Sequence, residues 1–542
     1  MVIFLFHDLN SWQNILEVMK VCAEILTEML EEVGFTHIFG HPGEQILPLY
    51  EALRKSEIQH VLMRHEQGAV HAADGYARAS GRPGVCVATG GPGALNLVMG
   101  VAAANTDSVP LIALTGDLPR GEGGGRFQEA DIEGVFSPVV KKSRTARNGE
   151  DAALALLDAL DAFERGVTGV MHINLPKDVL EEGVGTIEKP PSTPGKTPCL
   201  DDVIEVLRSA EKPLVLAGAG IIWAGAVEGF RKFITENLLP VVTTYSGRGV
   251  LPEDHPLCLG MAGTRGTPTG NYAARECDVL LVLGSRLSDR TSAAIGNPRI
   301  IHVNTDPNVL RGDFRLNMNV RDFLMHGIRV KHPVRWLREL YGFRVKNPPL
   351  YDLPAGEEKI LRTSSAVRSI LDAAPDAVVV SDAGSHTTWV TLHRRVLRER
   401  GLLFSGGFGP MGYGLPAAVG AKIARPDDDV LLVAGDGGFQ MTIQELGTVA
   451  ELDLGITMCI LNNGQLDVIR QWQEMKYGES YSVKMRNPDF VRLAGAYGIC
   501  AERVYEIGEV AGAVERGLDS GEPYLVELMV EEENIPLPDL DP

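Results

Sequence analysis

Short apolar runs alternate with helix-length amphipathic segments along most of this 542-residue chain. Two of the clearest runs, residues 430–434 and 456–461, have the length and character of buried strands. The segment between them has helical periodicity, so the three together predict a β-α-β unit with parallel neighbouring strands. Because the same alternation recurs, we predict an α/β fold in which helices cover mostly parallel sheets.

Two Pro- and Gly-rich stretches, residues 189–198 and 346–356, have linker composition and divide the chain into three blocks. We predict domains at 19–188, 200–345 and 357–537, preceded by an extension at 1–18. The elements expected in the first block are helices 22–33 and 68–79 and strands 37–39, 84–89, 111–115 and 169–175. Strands 213–217, 240–243, 279–283 and 300–303 are expected in the second.

Composition excludes several classes of protein. The 71 Asp and Glu residues outnumber 51 Lys and Arg and give a formal net charge of −20, which disfavours nucleic-acid and anionic-membrane partners. No apolar run is long enough for a membrane span. The seven cysteines are scattered without C-x-x-C pairs, which favours reduced thiols and a cytoplasmic setting over zinc or disulfide frameworks.

Candidate chemistry lies where the two clearest apolar runs end. Gly435-Asp436-Gly437 follows the first run, and Asn462-Asn463 follows the second. Parallel strands bring both motifs to one sheet edge, where ligands bind in open α/β sheets. A carboxylate with amide oxygens suits Mg²⁺, and the glycines would let backbone N–H groups approach a bound phosphate. The alternative is a tight turn in which Asp436 only caps a helix.

A second candidate is Glu66, which follows a short apolar run and begins a helix rich in small residues. Taken alone, a glutamate in that position is explained by the favourable interaction of its charge with the helix dipole. The surrounding string is more informative. It reads RHEQGAVHAADGYARASGRPGVC and is followed by TGGPGALN at residues 89–96.

These strings resemble the acetolactate synthase (acetohydroxyacid synthase) catalytic subunits and their thiamine-diphosphate-dependent relatives. The spacing of GDG and NN resembles the thiamine-diphosphate signature of the same enzymes. The resemblance extends, in order, through HPGEQILPLYEAL, GGGRFQEADIEGV, HINLPKDV, LGSRLSDR, SDAGSHTTW, SGGFGPMGYGLPAAVGAKIARP and VIRQWQ. It therefore covers about 500 residues.

The resemblance implies a pyrimidine-binding first domain, a central Rossmann-like domain and a diphosphate-binding third domain. It implies that Glu66 activates thiamine diphosphate by hydrogen-bonding N1′ of the aminopyrimidine. The implied metal ligands for Mg²⁺ are Asp436, Asn463 and the carbonyl of Gln465. The other implied cofactor-binding residues are Gly384, Ser385, His386, Gly409, Met411, Gly437 and Gly438, with Met411 supporting the bent cofactor.

The implied reaction joins a two-carbon unit from pyruvate to a second 2-oxo acid. By resemblance, Gln128 and Lys141 are candidate catalytic residues, and Phe127 and Trp472 line the substrate pocket. Glu44 stands where the synthases usually have glycine, and Asp117 where they usually have glutamine. A carboxylate at Glu44 would repel an anionic acceptor, so a 2-oxo acid decarboxylase or an acyltransferase stays an alternative. A cofactor-binding paralogue without turnover is a further one.

The resemblance also bears on flavin and on partners. Gly218, Gly220, Arg286 and Arg290 match the FAD site of the synthases, whereas Ser288 and Asn304 depart from it, so the resemblance leaves FAD binding open. In the family, two subunits complete each active site, which implies a homodimer or a dimer of dimers. A separate regulatory subunit stays open.

Overall fold

The computed structural model describes residues 20–121, 124–185, 187, 200–354 and 359–537. Each of the three predicted blocks forms a six-stranded parallel sheet, so the predicted fold class is confirmed. The first sheet has the order β3-β2-β4-β5-β7-β6, the second β11-β10-β9-β12-β13-β14 and the third β16-β15-β17-β18-β20-β19 in the strand numbering given next.

The strands of the first block are β1 (Lys20–Val21), β2 (His37–His41), β3 (Gln59–Leu62), β4 (Gly84–Ala88), β5 (Leu111–Asp117), β6 (Lys142–Thr145), β7 (Val170–Pro176) and β8 (Gly183–Val184). Those of the second are β9 (Pro213–Ala217), β10 (Val241–Thr243), β11 (Cys258–Met261), β12 (Val279–Leu283), β13 (Arg299–Asn304) and β14 (Phe314–Asn317). Those of the third are β15 (Val378–Ser381), β16 (Leu402–Leu403), β17 (Val430–Gly435), β18 (Ile456–Asn462), β19 (Cys500–Val504) and β20 (Tyr524–Met529).

The helices of the first block are α1 (Cys22–Glu32), α2 (Leu47–Arg54), α3 (Glu66–Ser80), α4 (Pro92–Thr106), α5 (Ile132–Phe136), α6 (Gly149–Glu164) and α7 (Lys177–Leu180). Those of the second are α8 (Asp201–Ser209), α9 (Gly220–Trp223), α10 (Val227–Asn237), α11 (Pro268–Glu276), α12 (Asp289–Ser292), α13 (Val320–Met325) and α14 (Val334–Lys346). Those of the third are α15 (Thr363–Ala373), α16 (Ser385–His393), α17 (Gly414–Ala424), α18 (Asp436–Met441), α19 (Leu446–Glu451), α20 (Asp467–Tyr477), α21 (Phe490–Ala496) and α22 (Val510–Ser520).

The central strands are apolar because helices cover both of their faces. Every residue of β7 and of β18 is buried, so neither strand shows the alternation of a half-exposed strand, although β7 includes the polar residues His172 and Asn174. The predicted strands 213–217 and 279–283 coincide with β9 and β12, and the other predicted strands differ from the observed ones by one or two residues at their ends. The continuous helical segment expected between β17 and β18 is instead broken into α18, a short 3-10 helix (Ile443–Glu445) and α19.

By its internal contacts the chain divides into two compact units. The first contains the first block together with Gly407–Pro426 and Thr442–Leu454, and the second contains the rest. The domain boundaries at 19–188, 200–345 and 357–537 therefore stay a prediction. The extension at 1–18 and the linker at 189–198 lie outside the described residues, as does part of the second linker.

Inside the first unit, α3 and α17 cross with their backbones in close contact. A β-carbon added at Gly75 would collide with the carbonyl of Ala417, and one added at Gly420 would collide with the carbonyl of Ala72. Glycine at these two positions is what permits so close an approach. Tyr413 fixes the crossing by donating its hydroxyl proton to Asp74 Oδ1 over 2.7 Å.

Within the described part of the chain, no helix combines the length and the apolar character that a membrane crossing requires. Six of the cysteines lie in that part, and all of them except Cys500 are buried.

Candidate active site

The structure confirms that the GDG and NN motifs end neighbouring parallel strands. Gly435 of β17 pairs with Leu461 of β18, which brings Asp436 and the two asparagines to the same carboxyl edge. Asp436 begins α18 directly after its strand. This edge, which lies within the second compact unit, has the topology of a ligand site in an open α/β sheet.

The carboxylate of Asp436 is held in one orientation by three hydrogen bonds. It is 3% exposed. Its Oδ1 accepts the Gly437 N–H at 2.9 Å, and its Oδ2 accepts the Gly464 N–H at 2.8 Å and the Asn487 Nδ2–H at 2.6 Å. Burial raises the pKa of Asp436, and these hydrogen bonds only partly oppose that effect. A bound cation would stabilise the charge that burial penalises.

The two asparagines have different surroundings. Asn462 is buried, donates to Glu527 Oε1 at 2.7 Å and accepts from Asn487 Nδ2 at 2.7 Å, so its amide is engaged within the sheet. Asn463 is half-buried, and its Oδ1 accepts the Gln465 N–H at 3.2 Å. The structure therefore favours Asn463 over Asn462 as the amide that offers an oxygen to a ligand.

Gln465 forms an isolated antiparallel bridge with Lys484. The hydrogen bonds of this bridge run from Met485 N–H to the Gly464 carbonyl at 2.7 Å and from Leu466 N–H to the Val483 carbonyl at 2.8 Å. In such a bridge the central residue directs its own N–H and carbonyl away from the partner segment. The Gln465 carbonyl is thus directed to the side on which its N–H meets Asn463.

The donor set at this edge suits a hard cation. It consists of one buried carboxylate and amide or peptide oxygens, the ligands that Mg²⁺ takes in proteins when a phosphate supplies the remainder. Within the described residues no group of three His, Cys, Asp or Glu side chains could hold a metal by itself. The residues present therefore fit Mg²⁺ bound together with a phosphate better than an all-protein cage.

The predicted diphosphate loop lies at the carboxyl end of β15, beside β17 in the same sheet. Gly384 precedes α16, which begins at Ser385, so peptide N–H groups of a helix N-terminus are directed outward there. His386 lies against Gly435, where an added β-carbon would be 3.2 Å from its Nδ1. Burial lowers the pKa of His386 to about 4, so the imidazole is neutral near pH 7. Its Nε2 lies 3.0 Å from the Asp382 carbonyl and donates to it.

Gly438 shows how closely this loop packs. A β-carbon there would lie 2.9 Å from Asp382 Oδ2, so a larger residue would push against the carboxylate. Asp382 in turn accepts the Ala383 N–H at 2.6 Å, which fixes the turn before Gly384. Packing against Asp382 therefore requires glycine at position 438.

Glu66 lies in the first compact unit as the first residue of α3. His65 caps this helix, because its Nδ1 accepts the Gln67 N–H at 3.1 Å. Asn96 on α4 donates from Nδ2 to Glu66 Oε2 at 3.0 Å. A β-carbon added at Gly93 would lie 3.1 Å from Glu66 Oε1. The carboxylate is thus half-buried between two helix N-termini, with one side chain holding its orientation.

Met411 lies on a tight turn in the same unit. Gly409 and Gly412 on either side have φ of +67° and +88°, conformations that favour glycine. The Gly412 carbonyl accepts the Thr442 hydroxyl proton at 2.9 Å. Met411 is half-buried. Since α17 begins three residues further on, the turn holds Met411 in a fixed position just before that helix.

Gln128 lies near Glu66, whereas Lys141 does not share that edge. Gln128 has a φ of +63° and packs against Gly91, which precedes α4. Gly93, two residues further along, is the residue that lies against the Glu66 carboxylate. Phe127 beside it is 79% exposed. Lys141 precedes β6, and its N–H donates to the Val170 carbonyl at 2.9 Å, which puts it at the amino ends of the strands. The structure thus does not bring Lys141 together with Glu66 within the unit.

Glu44 and Trp472 are both accessible. Glu44 begins a 3-10 helix after β2, its side chain is 66% exposed, and its Oε1 lies 3.9 Å from Lys177 Nζ at the end of β7. Lys177 therefore offsets part of the negative charge of the Glu44 carboxylate at the carboxyl edge of the first sheet. Trp472 lies on α20 in the second unit and is 49% exposed.

The four residues matched to a flavin site lie in the middle domain. Gly218 and Gly220 donate their N–H groups to the Leu283 and Gly284 carbonyls, both at 2.9 Å. A β-carbon at Gly220 would lie 2.6 Å from the α-carbon of Gly284, so backbone packing alone requires glycine there. Arg286 is half-buried and Arg290 exposed. The glycines therefore do not by themselves indicate FAD.

Sequence reasoning missed several residues at these sites. Asn487 joins Asp436 to Asn462, and Asn96 holds Glu66, but neither stands in a pattern that indicates such a role. Asp382 precedes the glycine loop in the string SDAG, and this position in the sequence is the one feature that indicates its role. Glu445, which accepts the N–H groups of Arg64 and His65, gives no signal in the sequence.

Comparison with known proteins agrees with this architecture. Residues 20–135, 200–324 and 382–528 match the N-terminal TPP binding, central and C-terminal TPP binding domains of thiamine pyrophosphate enzymes. A probable acetolactate synthase large subunit of Methanocaldococcus jannaschii is 38% identical over 94% of this chain and 92% of its own. The acetolactate synthase isozyme 2 large subunit of Escherichia coli is 35% identical over 95% of this chain and 96% of its own.

The acetolactate synthase large subunit of Lactococcus lactis is 36% identical over 95% of this chain and 93% of its own. Because these alignments cover nearly the whole of each protein, they include all three predicted domains in the same order. The chain belongs to the acetolactate synthase large-subunit family of thiamine pyrophosphate enzymes.

Proposed function

We propose that this protein is a carboligase that uses thiamine diphosphate and Mg²⁺ to join a two-carbon unit from pyruvate to a second 2-oxo acid. The observation that carries the proposal is the buried Asp436 carboxylate beside Asn463 at the carboxyl edge of β17 and β18. Relatives named acetolactate synthase large subunit support the reaction class.

In this proposal Asp436, Asn463 and the Gln465 carbonyl hold Mg²⁺. The N–H groups of Gly384, Ser385, His386, Gly437 and Gly438 would bind the diphosphate, as helix N-termini and glycine loops do. A neutral His386 fits this role, because its ring supports the loop without adding a charge. Asn487 keeps Asp436 oriented through its 2.6 Å hydrogen bond.

When bound, thiamine diphosphate supplies the carbon nucleophile and the electron sink. Glu66 would share a proton with N1′ of the aminopyrimidine, and Asn96 would hold its carboxylate in one orientation through the 3.0 Å hydrogen bond. Gly409 would bind the aminopyrimidine through its backbone, and Met411 would support the ring from its fixed turn.

The substrate assignments rest on the family resemblance. Phe127 and Trp472 are exposed aromatic side chains available to a substrate, and Gln128 is held near the start of α4. Lys141 lies at the opposite end of the strands from Glu66 in the same unit. A catalytic role for Lys141 would therefore require an active site that contains Glu66 from another subunit of the homo-oligomer. Glu44 favours the second candidate, a 2-oxo acid decarboxylase, because its carboxylate would repel an anionic acceptor.

The proposal includes a homodimer or a dimer of dimers in the cytoplasm. The name "large subunit" of the relatives supports a separate small regulatory subunit as partner. Light scattering of the purified protein measures the oligomer, and the flavin absorption band of the same sample decides whether FAD is bound. A colourless, fully active protein would remove FAD from the proposal.

One incubation tests the function. Purified protein, thiamine diphosphate and Mg²⁺ are mixed with pyruvate, and the products are identified. We expect acetolactate. Acetaldehyde as the main product would establish the decarboxylase, and the absence of both, with cofactor bound, would support a paralogue without turnover.

A further inference from the structure

Glu445 is a fully buried carboxylate, 0% exposed, to which the proposed reaction assigns no role. It ends the 3-10 helix between α18 and α19 and belongs to the first compact unit. Burial raises its pKa despite several hydrogen bonds. A buried carboxyl group destabilises the fold unless hydrogen bonds from its neighbours replace those it made with water. The hydrogen bonds of Glu445 therefore indicate its role.

The contacts of Glu445 are with the peptide groups that immediately precede Glu66. Its Oε2 accepts the Arg64 N–H at 3.0 Å, and its Oε1 accepts the His65 N–H at 3.1 Å. Both N–H groups lie in the turn between β3 and α3. A bidentate acceptor on two successive peptides fixes the plane of each, and with it the direction in which α3 begins.

Two further residues are adapted to this carboxylate. A β-carbon added at Gly68 would collide with Oε1, so glycine in the first turn of α3 provides the space. Thr448 Oγ1 lies 3.1 Å from Oε2 and 3.0 Å from the Leu62 carbonyl at the end of β3. The carboxylate, the hydroxyl and the glycine therefore hold the whole turn from Leu62 to Gly68.

The charge of Arg64 lowers the pKa of Glu445 less than the hydrogen bonds of the two peptides do. Its guanidinium contacts the Gly447 carbonyl at 3.3 Å and forms an ion pair with Glu451, whose side chain is 55% exposed. Two carboxylates thus approach the same segment, one through the backbone and one through a side chain. Glu451 is accordingly a matched control.

We propose that Glu445 is a positioning residue that fixes the Arg64–His65 turn and thereby holds the Glu66 carboxylate in its working orientation. The inference rests on the proposed function, because the role of Glu66 does. Glu445 touches neither substrate nor cofactor in this proposal and acts through the peptide backbone.

The test begins with Glu445→Gln, which keeps the size but turns an NH₂ group toward one of the two peptide N–H groups. Exchange of the C2 proton of bound thiamine diphosphate should slow about ten- to a hundredfold, the effect of a displacement of about 1 Å. The affinity for the cofactor and the KM for pyruvate should change less than about threefold. Glu451→Gln should leave all three quantities unchanged.

Two measurements separate positioning from a general loss of stability. Without cofactor, amide hydrogen exchange at Arg64 and His65 should accelerate in Glu445→Gln and not in Glu451→Gln. In a Glu66→Gln background, adding Glu445→Gln should slow C2 exchange little further, because both residues act through one group. Independent, multiplying effects would overturn the proposal.

Gly68→Ala is the second variant, for the case that Glu445→Gln does not fold. It retains every charge, and its β-carbon displaces Oε1, so it should reproduce the slow exchange. A wild-type rate in both variants, beside an active wild-type protein, would overturn the role of Glu445 alone. A wild-type protein that binds the cofactor without accelerating C2 exchange would instead overturn the proposed function.

Discussion

Asp436 and Glu445 are two buried carboxylates with contrasting surroundings. They are 3% and 0% exposed, and burial raises the pKa of both. Asp436 accepts hydrogen bonds from the Gly437 and Gly464 N–H groups and from Asn487, at the carboxyl edge of β17 and β18. Glu445 faces peptide N–H groups from a segment far away in the sequence and a threonine hydroxyl.

The difference shows that burial and a raised pKa do not identify a ligand site. Both properties are shared, whereas the two carboxylates lie at different kinds of position in the fold. Both carboxylates accept N–H groups, but Asp436 lies at a strand edge that also carries the Asn463 amide, whereas Glu445 binds two peptides of one turn between β3 and α3. The proposed Mg²⁺ site therefore includes Asp436, whereas the role proposed for Glu445 is architectural.

The largest effect expected is that of Glu66→Gln, since Glu445 matters only if Glu66 does. The amide keeps the size and the contact with Asn96 but cannot share a proton. C2 exchange of bound cofactor should slow by about 10²- to 10⁴-fold, the usual contribution of general acid–base catalysis, with little change in affinity. Proton NMR of the quenched enzyme measures the exchange. Glu51→Gln, an exposed surface glutamate, is the control, and equal rates in all three proteins would refute the role of Glu66.

Asp436→Ala is next in size and tests the other carboxylate. Removing a charged ligand from Mg²⁺ should weaken binding of Mg²⁺ and thiamine diphosphate by more than the 10- to 100-fold expected for an outer partner. Excess Mg²⁺ should restore part of it. Calorimetry at several Mg²⁺ concentrations measures this, with Asp427→Ala, an exposed aspartate, as control. Metal-independent, wild-type affinity would show the metal assignment to be wrong.

Asn487→Ala should have the intermediate effect of an outer partner. It removes the 2.6 Å hydrogen bond to Asp436 but leaves the carboxylate in place. We expect cofactor affinity to fall about 10- to 100-fold, with turnover at saturating cofactor nearly retained. Steady-state kinetics against thiamine diphosphate gives both numbers. Lost turnover at saturation would mean that Asn487 does more than orient Asp436.

Glu44→Gly should have the smallest effect. The Glu44–Lys177 pair is exposed and 3.9 Å long, so its charges should change acceptor preference less than about fivefold. The ratio of acetolactate to acetaldehyde formed from pyruvate should rise in Glu44→Gly and fall in Lys177→Met. Gas chromatography of the products measures the ratio. Shifts in the same direction in both variants would contradict an electrostatic cause.

Local sequence patterns predicted the strands and motifs around Asp436. Apolar runs gave β17 and β18 within a residue of their observed ends, and the motifs at those ends lie on neighbouring parallel strands as expected. Strands that are short or lie at a sheet edge, such as β16, escaped prediction because two residues carry no periodicity.

The Glu445 side could not be predicted, since it depends on contacts between distant segments. Glu445 lies 381 and 380 positions from the two peptides it binds. A glutamate before an apolar helical segment has the pattern of an exposed residue, and Gly68 has that of a tolerated helix glycine. The Gly75–Ala417 crossing is similarly hidden, because a small residue does not indicate which backbone approaches it.

The most direct test of these two assignments is the binding of Mg²⁺ and thiamine diphosphate to Asp436→Ala and Glu445→Gln, measured by calorimetry in parallel. The account predicts that Asp436→Ala loses metal-dependent binding, whereas Glu445→Gln retains it within about threefold. The reverse result, with binding intact in Asp436→Ala and lost in Glu445→Gln, would contradict it.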